Sequence, residues 1–293
     1  MKKIQPPTCS PSELFDDCVL GISDPTVQAR LIAHKGLIED ANANYAASSA
    51  TQTWCHLPRA RHANPDQFIV GNLTKGDLVS LYTEGMVGSS GAARKKYDEL
   101  KLLAHDECPY CGGCGEMVDE EGIGTIDHFL PKARFPIFSI LPINLVPSCA
   151  TCNGGMGSKF PTSPELQPLH PYFDAPHFFE EKWTTVTVSE DEPILVTFDV
   201  AAPATWSEKD RLRILEHFKC CKLRGRYRTK VASDISSLVE QRKTVHRNLT
   251  PEEFREVLKT VADNGALPIN GWKRSLYHGL AESLWFCTNN FAA

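Results

Sequence analysis

No stretch of the sequence approaches the ~18 consecutive apolar residues of a membrane span. Its start, MKKIQPPTCSPSEL, has two lysines but no apolar run behind them, so an export signal is not expected either. Fixed-period repeats and low-complexity runs are missing as well. Positive charge is in short supply: 31 Lys and Arg against 36 Asp and Glu leave a net charge of −5. That balance argues against a uniformly basic nucleic-acid coat without excluding local patches. Length and composition are otherwise ordinary for a globular protein, with 293 residues, 42% of them hydrophobic and 23% charged. Such a chain can bury a substantial core, as one large domain or two to three small ones. What the chain does have is cysteine. Eleven are present, and in a chain expected to stay in the reducing cytoplasm such clusters serve metal binding or chemistry rather than disulfides.

Residues 1–95 read as mainly helical. SELFDDCVLGI and TVQARLIAHKGLIEDANANYAA carry apolar residues at helical spacing, and Thr74 is placed to cap a helix over TKGDLVSLYTEGM. A Gly-Ser loop then feeds the helix AARKKYDELKLLAH, which delivers the chain to Cys108. The next unit, residues 96–175, holds the cysteine pairs, with few helix signals over 105–160. In 176–203, WTTVTVS and ILVTFDV alternate on either side of the acidic turn EDEP, predicting a hairpin connector. Residues 204–293 return to helix through SEKDRLRILEHFKC, YRTKVASDISSLVEQRKTV, TPEEFREVLKTVAD and WKRSLYHGLAESLWFC, with Thr250 and Glu253 spaced as a capping box. The expected fold class is α+β: a mainly helical protein around a small cysteine-rich centre, with one small β-hairpin.

Two Cys-x-x-Cys pairs, Cys108 with Cys111 and Cys149 with Cys152, supply the four thiolates of a tetrahedral zinc site. Cys114 repeats the spacing from Cys111 and is a spare ligand. A thioredoxin-like role would need one pair only, and no βαβ pattern surrounds either. The 37 residues between the pairs exceed the ~15–20 of compact zinc ribbons. Something is therefore built into the gap. GTIDHFL predicts a strand, NLVPS a short return strand, and CATCNGGMGSK the first turns of a helix, pinned at both ends by zinc. Gly154, Gly155 and Gly157 each cost up to ~1 kcal/mol in a helix, so that helix is expected to depend on the metal.

The order Asp127-His128, Asn144, then Asn153 directly after a Cys-x-x-Cys resembles the HNH, or ββα-metal, endonucleases, in a variant with Asn in the last position. The spacings are sixteen and nine residues, and the match covers about residues 108–159. The resemblance implies a zinc-stapled nuclease centre with His128 as general base. Asp127 and Asn153 are then oxygen ligands of one divalent ion, and Asn144 hydrogen-bonds backbone so that His128 keeps its orientation. The residue types suit phosphodiester hydrolysis. A neutral imidazole near pH 7 can take a proton from water, and all-oxygen ligation favours Mg2+ or Mn2+ over a second zinc. The expected products carry 5′-phosphate and 3′-hydroxyl ends. Two features depart from the pattern. Adjacent strand residues point to opposite faces, so Asp127 and His128 can serve one site only at a twisted strand end. Met156 stands where many relatives carry lysine, and the first downstream base is Lys159. More loosely, LYTEGM, KKYDEL, LHPYFD and WKRSLYHGLAESLWFC resemble standalone bacterial HNH proteins. Some of those are encoded beside an ATPase in antiphage operons of the Septu kind, which implies a defence effector with an ATPase partner encoded nearby.

The run RLRILEHFKCCKLRGRYRTK (211–230) has eight Lys or Arg against one acid, Glu216. Arg224, Arg226 and Arg228, with Lys159, are the expected phosphate contacts. The alternative is the solvated face of two helices joined near Gly225. LPRARHANP (57–65) is a smaller basic loop with the same two readings. His170 in LHPYFD reads as a structural histidine beside a turn, and His105 as a helix-end residue. Cys220-Cys221, with Cys9, Cys18, Cys55 and Cys287, lack metal spacing and read as buried thiols. The reading reached is a metal-dependent endonuclease acting on nucleic acid, DNA ahead of RNA, with no membrane partner. The alternative is a zinc-stapled nucleic-acid- or protein-binding module without catalysis. Such a module has no use for Asp127-His128 in register with Asn153. A purely structural subunit is the third reading.

Overall fold

The structure, a computed structural model, describes residues 1–105, 107–113, 117–119 and 122–291. Cys114, the spare ligand, lies outside the described residues. The N-terminal part runs through α1 (Pro11–Leu20), α2 (Pro25–Ala33), α3 (Lys35–Thr51), a ribbon of β1 (Phe68–Val70) and β2 (Leu73–Thr74), α4 (Lys75–Ser80), a π-helical turn over Leu81–Val87, and α5 (Ala92–Leu102). A ribbon of β3 (Val118–Asp119) and β4 (Gly122–Ile123) precedes the central strands β5 (Thr125–His128) and β6 (Leu145–Ser148), and α6 (Ala150–Met156) comes directly after them. After α7 (His177–Glu180) come the hairpin strands β7 (Thr184–Val188) and β8 (Val196–Val200). The C-terminal part is α8 (Glu208–Cys220), α9 (Leu223–Lys230), α10 (Ala232–Lys243), α11 (Pro251–Ala262), α12 (Trp272–Glu282) and α13 (Leu284–Thr288). The α+β expectation holds: helices dominate, and the strands pair two by two into antiparallel ribbons.

Local chemistry explains the helix starts. Ser10 and Asp24 cap α1 and α2, each with proline in the first turn where its missing N–H costs nothing. Thr74 and Thr250 both close reciprocal capping boxes, with Asp77 and Glu253. Long helical patterns break at single residues. His34 (φ −113°, ψ 12°) divides the long N-terminal pattern into α2 and α3. Lys222, left-handed at φ 53°, separates α8 from α9, so the basic helices join there and Gly225 lies inside α9. Val231 separates α9 from α10, and Ser283 ends α12 while capping α13.

The β5–β6 ribbon sits between two apolar clusters. Ile126 and Leu145 pack with the N-terminal helices, beside Leu78, Tyr82 and Leu100. Val146 and Phe129 belong to the larger cluster built from the cysteine knuckles, the hairpin and the C-terminal helices. Register is fixed by Thr125 opposite Ser148 and His128 opposite Leu145, and since a one-residue slip would turn each buried residue to the wrong cluster, that register is strongly specified. LHPYFD is anchored to α8 by a fully buried ion pair: the Arg213 guanidinium meets both Asp174 oxygens at 2.5 and 2.7 Å. Among the described residues, no helix is long and apolar enough to cross a membrane.

Candidate metal centre and strand-end site

Cys108, Cys111, Cys149 and Cys152 are buried, with sulfurs all within 4.8 Å of one another. The first knuckle closes with a 2.9 Å hydrogen bond from Gly112 N to Cys108 O. Gly112 turns at φ 59°, and a Cβ there would fall 2.2 Å from the backbone nitrogen of Met1, so glycine is required. The second knuckle opens α6, where Asn153 N donates to Cys149 O at 3.0 Å. Four thiols in this space cannot all ionise unaided. Burial pushes Cys108 well up, whereas hydrogen bonding with Cys108 brings Cys149 down to about 6. A soft, tetrahedral donor set of this kind fits a metal such as zinc.

Arg226 closes the cluster. Its guanidinium nitrogens lie 3.1 Å from Cys152 Sγ, 3.3 Å from Cys149 Sγ and 3.6 Å from Cys111 Sγ. This corrects the assignment of Arg226 to phosphate: α9 turns its side chain inward, where it offsets thiolate charge. Tyr227, next in α9, donates to Cys111 O at 2.9 Å. His217, Cys220 and Cys221 form a second group of possible ligands alongside. His217 already commits both ring nitrogens, Nε2 donating to Tyr110 O at 2.8 Å and Nδ1 accepting from Leu169 N at 3.2 Å. Its role is to fasten α8 to the first knuckle and to the segment before His170.

The first knuckle also reaches the strand. Tyr110, between the two cysteines, donates its hydroxyl to Asp127 Oδ2 at 3.1 Å. Asp127 is 4% exposed, and burial pushes its carboxyl up to about 7, with Tyr110 and the His128 backbone pulling the other way. His128, 6% exposed, turns to the opposite face as the pleat demands. There Nε2 donates to Ser139 O at 2.8 Å, which leaves Nδ1 as the acceptor. Tyr82 meets the imidazole edge-on at 4.4 Å between ring centroids. Burial lowers the His128 pKa to about 3, so the ring is neutral. Lys132, stacked 4.8 Å over Tyr82, puts its charge in range of both Asp127 and His128.

Asn144 is fully buried, and among the described residues its side chain hydrogen-bonds neither Asp127 nor His128. Its Nδ2 donates to Leu130 O at 3.2 Å and Phe138 O at 3.0 Å, while Oδ1 accepts from Leu130 N at 2.8 Å. These bonds clamp the loop that carries Ser139, the acceptor for His128. Tyr45 adds a donor to Oδ1 at 3.2 Å and lies 3.1 Å from Nε2 of His170. His170 is thus buried in a hydrogen-bonded and aromatic setting, stacked on Trp54 at 5.3 Å. His105, left-handed at φ 51°, lies just past α5 and outside the sulfur cluster.

Asn153 meets β5 through Nδ2, at 3.0 Å from Thr125 Oγ1 and 3.3 Å from Ile126 O. Its Oδ1 accepts no hydrogen bond among the described residues. The glycines of α6 have different roles. Gly155 must be small, because a Cβ would come 2.6 Å from Cys220 O, while Gly154 faces open space. Met156 places its sulfur 3.5 Å from Cys220 Sγ. Lys159, beyond the helix, is exposed, as is Arg228; Arg224 is paired with Asp199 at 2.6 Å. Tyr45, Tyr82, Tyr110, Lys132 and Ser139 were not singled out from sequence. Tyr110 and Lys132 had a usable signal, lying within a cysteine knuckle and four residues after His128.

No protein-family model matches the chain, and no solved structure matches it. Protein ea31 of Escherichia phage lambda is 33% identical over 296 residues, spanning 97% of this chain and 98% of that protein. Septu protein PtuB of Bacillus thuringiensis is 34% identical over 84 residues, 28% of this chain and 31% of that protein.

Proposed function

The chain belongs to the family of phage lambda protein ea31, and from that premise and the strand-end geometry we propose that it is a metal-dependent HNH-type endonuclease, cutting nucleic acid with DNA ahead of RNA. One observation carries the reading. His128 is a buried, neutral imidazole oriented through Nε2 by the Ser139 carbonyl, its Nδ1 without a hydrogen bond among the described residues, on the same four-residue strand as the buried carboxyl of Asp127, against which a cysteine-anchored helix sets Asn153.

In this reading Cys108, Cys111, Cys149 and Cys152 hold a structural zinc, and Tyr110 transmits the knuckle's position to Asp127. A buried carboxylate lifted to about 7 is short of positive charge, and the open Oδ1 of Asn153 offers a second hard ligand. That pair fits a small oxygen-preferring cation. Mg2+ or Mn2+ held by Asp127 and Asn153 would supply Lewis-acid stabilisation of the phosphoryl oxygens. His128 takes the proton of the attacking water at Nδ1, and the Ser139 carbonyl stabilises the imidazolium that results. Asp127 and His128 face opposite sides of β5, so serving one phosphate requires the strand end to twist or open. Asn144 keeps the base oriented through the Ser139 loop.

The partial likeness to Septu protein PtuB supports a place for this protein in antiphage defence; an ATPase encoded nearby is the partner proposed for it. The near-complete burial of Asp127 and His128 favours a second reading, a zinc-stapled binding module that does not cut, unless a partner or substrate opens the strand end. The test is cleavage of plasmid and RNA with Mg2+ or Mn2+, comparing wild type, His128→Ala and an EDTA control, alone and with the partner. Cleavage lost in both controls, with zinc content intact, supports the endonuclease. Nucleic-acid binding without cleavage under every condition sinks it.

A further inference from the structure

A cavity of about 440 Å3 lies beside the loop that follows His128. Arg59, His62, Arg134, Ser158, Lys159 and Phe160 line it. Four of the six are basic and none is a carboxylate, in a protein whose net charge is −5. Arg59 is held rigidly. Its guanidinium donates to the carbonyls of Cys55, Phe160 and Pro161 and lies over the Phe135 and Phe160 rings at 5.4 and 5.9 Å. The two cavity-forming loops are joined by Ala60 N donating to Arg134 O at 2.7 Å. Behind them Lys75 is buried, its ammonium on Arg61 O at 2.9 Å. Burial lowers the proton affinity of both Lys75 and Arg59; the charge of Arg134 adds to it at each, at Arg59 against a larger opposing effect of Cys55.

Packing like charges together without an acid between them is costly unless an anion relieves it. A second cavity of about 480 Å3 shares Lys159 and Phe160 with the first. It runs past Gly155 and Met156 of α6 to Phe129 and Pro131, the residues just after His128. The basic cavity thus adjoins one that reaches the strand end, which Glu216 and Lys219 also line. Rigid guanidinium and ammonium groups are the usual partners of phosphate oxygens.

We propose that the pocket formed by Arg59, His62, Arg134 and Lys159 is a phosphate subsite for the backbone of the nucleic-acid strand lying along α6. The proposal rests on the endonuclease reading for the identity of the strand. Arg134 and Lys159 engage a phosphodiester away from the reacting one, and so set the register of the strand along α6.

The test uses zinc-loaded protein carrying His128→Ala, so that the probe survives. Binding of a fluorescein-labelled DNA oligonucleotide, single-stranded and duplex, is followed by anisotropy between 50 and 200 mM salt. Arg134→Gln and Lys159→Gln remove charge from side chains that make no hydrogen bond or ion pair among the described residues, and each is expected to weaken binding roughly 3- to 10-fold. The double variant lowers the dependence of log K on log salt by roughly two for duplex DNA, about 0.9 for each lost phosphate contact. Unchanged affinity and slope in the double variant overturns the subsite, and so does a parent protein that binds no nucleic acid. Tighter binding of inorganic pyrophosphate than of the strand assigns the pocket to a free phosphate ligand and also overturns it. Binding that depends on Arg134 and Lys159, in a protein that cuts nothing when His128 is present, sustains the subsite while refuting the endonuclease.

Discussion

Replacing Arg226 by alanine removes a positive charge that faces three of the four cysteine sulfurs at 3.1–3.6 Å. A zinc ion in four thiolates is a dianion, so the guanidinium stabilises the loaded site more than the empty one. Hydrogen bonds to charged groups contribute ~1.5–3 kcal/mol, and Arg226 is half-buried, so solvent screens part of the charge. The net loss is then about 2 kcal/mol, which is roughly 30-fold in zinc affinity at ~1.4 kcal/mol per tenfold. It lies inside the ~10–100-fold range seen when groups behind metal ligands are removed. Competition against a chromophoric chelator measures it directly. Arg226→Lys keeps the charge, but one ammonium cannot fork across three sulfurs, so its affinity should fall between the two. A zinc affinity for Arg226→Ala within twofold of wild type would refute the charge argument.

Four further outcomes are expected. Asp174→Asn strands the Arg213 charge in a site where both side chains are fully buried, and urea unfolding should show a loss of roughly 3–5 kcal/mol; under 1 kcal/mol would mean that the pair is dispensable. Within α6, Gly154→Ala should stabilise by up to ~1 kcal/mol through helix propensity, while Gly155→Ala destabilises because its Cβ would meet Cys220 O at 2.6 Å; equal effects in thermal melts would contradict the packing. Asn144→Ala removes the clamp on the Ser139 loop, so cleavage should drop at least tenfold, a loss of ~1.4 kcal/mol of transition-state stabilisation, with zinc content unchanged by elemental analysis. His217 is kept neutral, its pKa pushed down to about 4 by burial, whereas the unfolded chain takes up that proton near ~6.5. Its contribution is therefore complete above about pH 6.5 and is lost as pH falls toward 4; His217→Gln should flatten the stability curve between those values, and an unaltered slope would count against it.

Much of the centre was legible because its signals are local. Two cysteines three residues apart favour a knuckle, and Thr250 with Glu253 favours a helix start, so the cysteine set, the β7–β8 hairpin and several helix starts needed no tertiary information. Asp127, Asn144 and Asn153 were singled out by the resemblance to the HNH endonucleases, but their surroundings could not be read from the chain. Neither Tyr45, ninety-nine residues from Asn144, nor Tyr82 beside His128 carries a mark in the chain that says which polar group it will meet. The helix breaks at His34 and Lys222 were hidden for a related reason, since apolar spacing runs straight through both.

The sequence by itself determined which sulfurs can share a metal, the helical character of both ends and the β7–β8 hairpin, and the alternation that puts Asp127 and His128 on opposite faces of β5. Only the tertiary structure decided what each charge is for. Arg224, Arg226 and Arg228 are equivalent in a basic run, yet α9 docks so that Arg226 meets the sulfurs and Arg224 meets Asp199. Arg59, Arg134 and Lys159 are scattered along the chain and become one positive pocket only when two loops and the end of α6 converge. Side-chain type is a local property, but the field at a site is a sum over neighbours, and those neighbours exist only after the chain has folded.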